Sequence, residues 1–182
     1  GTVKVSGANH SGWRNLEAYP VWNFESSQCP TCSNVGTLYI DNNLLLTSVN
    51  SGTVVLKGNY TTVVGGVNVT FTGSNAQSVT GTSLGSSVTI DKSGGSLTFN
   101  NDVTATGHWN HTAGNIIWNN HKVTSIISFN TATITNGSFY DLTLQHTSGV
   151  GVAVSGVIPN VSHNLVFNAG VGANFWPACT VG

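Results

Sequence analysis

Charge is what this sequence has least of. Asp, Glu, Lys and Arg together make up 6% of its 182 residues, and the formal net charge is −1. Ordinary soluble domains carry roughly 25% charged residues. So neutral a chain offers no basic footprint for nucleic acid and no polybasic stretch for a membrane surface. Apolar runs are short as well, and none approaches the roughly 20 residues that a membrane-spanning helix needs. Nor does any window show a 3.6-residue apolar stripe with caps, so helix should be nearly absent. Methionine is missing and the first residue is Gly1, so the start is expected to reflect processing or excision. No signal peptide is visible.

Cysteine is scarce and odd in number: Cys29, Cys32 and Cys179. One thiol is therefore left over in a monomer, or pairs between chains. Cys29-Pro30-Thr31-Cys32 has redox-motif spacing but lacks the helix N-terminus and βαβ setting that would activate a thiol. A zinc site would need two more ligands, and no second CxxC or HxxxH exists. These cysteines read better as disulfide candidates. Cys179 of a straight rod lies far from residue 29, which favours a bridge between subunits. His108, His111 and His121 invite a metal reading, but residues i and i+3 of a strand point to opposite faces. They read as exposed polar ladder residues. The acids Glu17, Glu25, Asp41, Asp91, Asp102 and Asp141 are dispersed, with no tight pair of the kind that glycoside cleavage uses. No phosphate loop, nucleophile elbow or triad spacing appears. The expectation is a non-enzymatic protein without a cofactor.

What the chain does have is β-strand vocabulary that repeats. Thr2-Val3-Lys4-Val5-Ser6-Gly7 returns as Asn68-Val69-Thr70-Phe71-Thr72-Gly73 and as Thr131-Ala132-Thr133-Ile134-Thr135-Asn136-Gly137. Gly36 to Asn43 resembles Gly95 to Asp102, and Gly52 to Leu56 resembles Gly114 to Trp118. Order is kept, as in an array architecture. The runs alternate with period 2 and are punctuated by Gly, Asn and Ser. Stacked equivalent residues favour an all-β parallel β-solenoid, a single domain over 1–182 with repeats at about 2–67, 68–130 and 131–175. The alternative is an antiparallel β-sandwich, for which Asn136-Gly137 is the best hairpin signal. Thr-x-Thr pairs such as Thr70/Thr72 and Thr104/Thr106 do not recur at one coil position, which weighs against a flat ice-binding face.

Two stretches carry a family resemblance: the strand Phe139-Tyr140-Asp141-Leu142-Thr143-Leu144 and the turn Thr112-Ala113-Gly114. Together with the blocks over residues 36–170, they resemble the degenerate repeats of large bacterial surface and secreted adhesins, the filamentous-haemagglutinin-like and autotransporter-like β-solenoids. The resemblance implies a rod-like surface or matrix component and carries over no catalytic residue.

The first repeat departs from this pattern through an irregular Cys-containing insertion at 19–35, either an end cap or a binding loop. Trp22, Phe24 and Glu25 in it, with Trp176 near the other end, form the candidate binding or assembly surface. Trp118 is expected in the core beside Ile116. The functional expectation is an extracellular or cell-surface structural protein, a solenoid module for adhesion or for end-to-end filament assembly. It would self-associate, with a glycan or cell-surface ligand as a further partner. The alternative is a carbohydrate-binding or carbohydrate-cleaving β-helix, with tryptophans as stacking platforms.

Overall fold

The computed structural model describes residues 2–6, 21–28, 35–46, 52–62, 67–127, 131–146, 153–155 and 160–168. For β1, β2, β15 and residues 35–38, 46, 52, 127, 131–133 and 146 the description is of the backbone alone. The described residues form strands and no helix: β1 (Thr2–Ser6), β2 (Val21–Gln28), β3 (Val35–Leu46), β4 (Gly52–Leu56), β5 (Tyr60–Thr62), β6 (Asn68–Thr72), β7 (Gln77–Thr80), β8 (Ser83–Gly85), β9 (Val88–Phe99), β10 (Val103–Ala105), β11 (Trp109–Ile117), β12 (Lys122–Ile127), β13 (Thr131–Thr135), β14 (Ser138–His146), β15 (Ala153–Ser155) and β16 (Asn160–Phe167). Every strand pairing is parallel, and partners lie one coil apart in sequence. A sandwich of hairpins would pair its neighbours antiparallel. The fold is a parallel β-solenoid.

Each full coil has three sides. On the first lie residues 35–40 of β3, then β4, β6, residues 88–92 of β9, the start of β11, β13 and β15. The second carries β1, β2, residues 44–46 of β3, β5, β7, residues 96–99 of β9 and the end of β11. The third is the five-stranded sheet β8-β10-β12-β14-β16. Alternation decides what faces in. Val54, Val69, Val88, Trp109 and Ile134 stack in one inward column of the first side, and all are buried. Leu44, Tyr60, Val79 and Phe99 do the same on the second side. Val103, Val123 and Leu142 do so on the third. Each such side chain contributes about 1.5–3 kcal/mol by leaving water.

The stacked unit is the single coil, and its length varies. Val54 pairs with Val69, fifteen residues on, whereas Trp109 pairs with Ile134, twenty-five on. The long-range block matches do not follow these columns. Leu38 pairs in register with Val54 of the first side, while its block counterpart Leu97 pairs with Gln77 and Ile116 of the second. Asn136, at φ 53°, turns the corner from β13 into β14, so the Asn-Gly pair closes a coil rather than a hairpin. Asn119 and Asn120 make another left-handed corner, at φ 50° and 63°. Asparagine tolerates this region better than other residues with a Cβ. At Gly58, close approach is the constraint: a Cβ there would run into the Asn42 carbonyl of the previous coil.

Two features mark the interior. Phe99, Trp109, Trp118 and Phe139 form an aromatic cluster, with Phe99 and Trp118 stacked at 4.4 Å between centroids and Trp109 and Phe139 tilted at 5.2 Å. Trp118 thus faces the core, and its Nε1–H donates to the Ser138 carbonyl at 2.7 Å. The second feature is a buried cation. Lys92 is 2% exposed, and its ammonium donates to Gln77 Oε1 (2.6 Å) and the Asn75 carbonyl (2.8 Å). Gln77 in turn donates to the carbonyls of Leu56 and Gly58, so one polar chain links successive corners. Burial lowers the Lys92 pKa from the ordinary lysine value. Burial also pushes the Tyr60 phenol up to about 12; the neighbouring Thr62 hydroxyl pulls it slightly down, although neither hydroxyl reaches hydrogen-bond geometry with any partner.

Outside, small polar residues stack. Ser83, Thr104, Thr124 and Thr143 share one outward column of the third side; single threonines recur at one coil position there, not Thr-x-Thr pairs. The column is single, because its neighbours on one flank are Ile126 and Gln145.

Candidate functional site

The residues singled out from the sequence fall mostly outside the described part: Cys29, Cys32, Cys179 and Trp176 do. Trp22, Phe24 and Glu25 lie on β2, whose backbone is regular for most of its length. Phe24 sits between Val3 and Leu44, and Glu25 between Lys4 and Leu45. The register slips at Trp22 against β3 and between Glu25 and Gln28 against β1. Much of the stretch read as an irregular insertion is therefore a rung of the second side, since residues 21–28 pair with β1 below and β3 above. A strand of Val, Trp, Phe and Glu with period-2 alternation suits that place. The three histidines do not converge either. His111 Nε2 lies 2.9 Å from the Gly114 carbonyl, and His121 Nδ1 lies 3.3 Å from Asp102. Among the described residues no three His, Cys, Asp or Glu side chains come together as metal ligands do.

The structure does assemble an ionisable column at the start of the third side. Asp102 Oδ1 accepts the Lys122 backbone N–H at 2.9 Å and faces His121, while Lys122 Nζ stands 4.0 Å from Oδ2. One coil further, Lys122 pairs in register with Asp141. Asp141 Oδ1 accepts the Asn164 backbone N–H and meets His163 Nδ1, each at 2.8 Å. His163 stacks on Tyr140 at 4.8 Å between ring centroids. The Lys122 backbone N–H holds the Asp102 carboxyl below the usual carboxylate range; partial desolvation opposes this, and His121 and Lys122 reinforce it. One oxygen of each aspartate thus ties a coil to the next. The outer atoms remain accessible, Asp102 with 58% of its side chain exposed and His163 with 53%. On so neutral a surface, this column gathers Asp102, His121, Lys122, Asp141 and His163 at one place. Its signal was present in the sequence, as Asn101-Asp102-Val103-Thr104, His121-Lys122-Val123-Thr124, Tyr140-Asp141-Leu142-Thr143 and His163-Asn164-Leu165-Val166.

A second feature is a step in the rod. β13 covers β11 only at Trp109 and Asn110. From Asn136 and Gly137 the chain passes directly into β14 on the third side, so this coil has no second side among the described residues. Residues 111–117 of β11 pair with β9 along one edge and with no described strand along the other. Thr112, Ala113, Gly114, Asn115 and Ile117 are exposed, and Ile116 is only half buried. This edge contains no Lys, Arg, Asp, Glu or Pro, the residues that natural edge strands use against pairing. No family model, no curated protein and no solved structure matches the chain.

Proposed function

We propose that this protein is a non-enzymatic, extracellular or cell-surface structural solenoid, a rod that adheres or assembles end to end. The observation that carries the reading is the parallel ladder whose second side ends, among the described residues, with β1 paired only to β2 at one limit and residues 111–117 paired only to β9 at the other. An edge of unpaired N–H and C=O groups is satisfied by another strand. A head-to-tail contact that does not close gives a filament, and the scarcity of charge removes the repulsion that keeps rods apart. The resemblance to adhesin repeats points the same way. An intersubunit bridge through Cys179 to Cys29 or Cys32 would lock such a joint. Electron microscopy of the native protein with and without reductant tests this. Continuous filaments support assembly, dissolution by reductant assigns the cysteines to the joint, and isolated monomers at high concentration overturn the filament.

One observation favours a second reading, a glycan-binding rod. The column of Asp102, Lys122, Asp141 and His163, with the Tyr140–His163 stack, offers hydrogen-bonding groups beside an aromatic face. Binding on a glycan array that is lost in Asp141→Ala would support it. Trp109 and Trp118 take no part as platforms, because both lie in the core.

A further inference from the structure

We propose that residues 111–117 of β11 are the joint, and that they receive β1 of a second copy of this chain. The inference rests on the end-to-end reading and names its two surfaces. Both edges belong to the second side of one ladder. β1 is its first described rung, pairing only with β2, and the end of β11 is its last, pairing there only with β9. The edges that no described strand pairs face opposite axial directions. Translating a copy along the rod therefore brings a first rung against a last rung with parallel polarity preserved, the polarity of every pairing in the fold.

The composition of the shelf agrees. His111-Thr112-Ala113-Gly114-Asn115-Ile116-Ile117 carries no formal charge and accepts a strand without desolvating an ion. Thr2-Val3-Lys4-Val5-Ser6 alternates apolar and polar residues and has one cation. Thr112 to Asn115 are exposed, and no described strand of the chain lies on the shelf, which leaves it available to a strand of another copy. β9 shows what the shelf gains. Leu97 and Ile90, whose partners in β11 are Ile116 and His111, are fully buried because a further strand covers them. The coils that carry β13 to β16 continue past the shelf on the other two sides and flank an incoming strand, giving a lap joint rather than a butt joint.

Sedimentation velocity and electron microscopy of the full chain over a range of concentrations test the proposal, using wild type, Ile117→Lys and the control Tyr39→Lys. Ile117 and Tyr39 are similarly exposed, at 39% and 43%, so both variants fold, as circular dichroism would verify. The expected result is association of the wild type and of Tyr39→Lys. Ile117→Lys should need about tenfold more protein to associate, because a lysine on an edge strand opposes pairing with a further strand. A synthetic peptide of residues 2–6 should shorten wild-type filaments, and a scrambled peptide should not. If Ile117→Lys assembles as wild type does, the joint lies elsewhere and end-to-end assembly survives without it. If Ile117→Lys blocks assembly but the peptide does not compete, another strand fills the shelf and the assignment of β1 fails. A wild type that stays monomeric overturns both this inference and the filament reading.

Discussion

β9 and β11 follow the same path around the solenoid, one coil apart, and end in different surroundings. Both start on the first side, turn a corner at a glycine with positive φ (Gly95 at 60°, Gly114 at 103°) and continue along the second. In β9 the inward residues Val88, Ile90, Lys92, Leu97 and Phe99 are all buried. In β11 the inward residue Trp109 is buried, whereas His111 and Ile116, the partners of Ile90 and Leu97, are only half buried. Alternation is similar in the two strands; what differs is whether a further coil covers them. In a solenoid, burial belongs to the stack and not to the strand.

The largest test of that comparison is a matched pair of truncations. Leu97→Ala removes a fully buried side chain and should cost about 2–5 kcal/mol. Ile116→Ala, its register partner on the shelf, should cost less than half as much. Urea unfolding of both variants measures the difference, and equal losses would mean that the shelf is covered in solution. Lys92→Met comes next. It leaves Gln77 Oε1 and the Asn75 carbonyl without their donor, at a cost of about 1–3 kcal/mol. It also changes the pH response. Burial lowers the folded pKa of Lys92, so at alkaline pH the unfolded chain binds more protons, and stability rises as pH climbs from the folded value toward the ordinary lysine range. The variant should lack that rise, which urea midpoints from neutral to about pH 10 would reveal.

Asp102→Asn should be milder. The Asp102 pKa is depressed, so its stabilisation is present above the ordinary carboxylate value and is lost as pH falls through the depressed one. With the side chain mostly exposed, the loss should stay below about 1 kcal/mol, seen as a flatter acid limb in the variant's pH–stability profile. Ile117→Lys should change monomer stability least, within about 0.5 kcal/mol, because nothing covers the side chain. A larger loss in dilute monomer would show that Ile117 is packed after all.

The fold class was legible because period-2 runs of Val, Ile, Thr and Phe between Gly, Asn and Ser leave little room for helix, and because repetition selects stacking. Trp118 was legible by alternation with Ile116. The register was not. Runs such as Thr-Val-Lys-Val-Ser and Asn-Val-Thr-Phe-Thr resemble one another on any side of the coil, so the match of Leu38 to Leu97 joined two different columns. Coil lengths from fifteen to twenty-five residues blur a period that would otherwise reveal itself. The ionisable column escaped notice for a related reason: Asp102 and Asp141 are far apart in sequence, and only stacking on either side of Lys122 relates them. The strand character of residues 21–28 was hidden by the prolines and cysteines around it.

The coil that turns directly from β13 into β14 also has a mechanical meaning. A rod under tension along its axis carries load through its coils in series, and each coil grips the next through the backbone bonds of its sides. Beyond β11 the described grip is two-sided, β11 to β13 and β12 to β14, where the coil before it holds on three. The load per described bond is therefore higher at that junction than at the one between β9 and β11, and forced extension should part the chain after Ile117 before it separates β11 from β9. In a filament, an incoming strand on the shelf would restore the third grip at that junction.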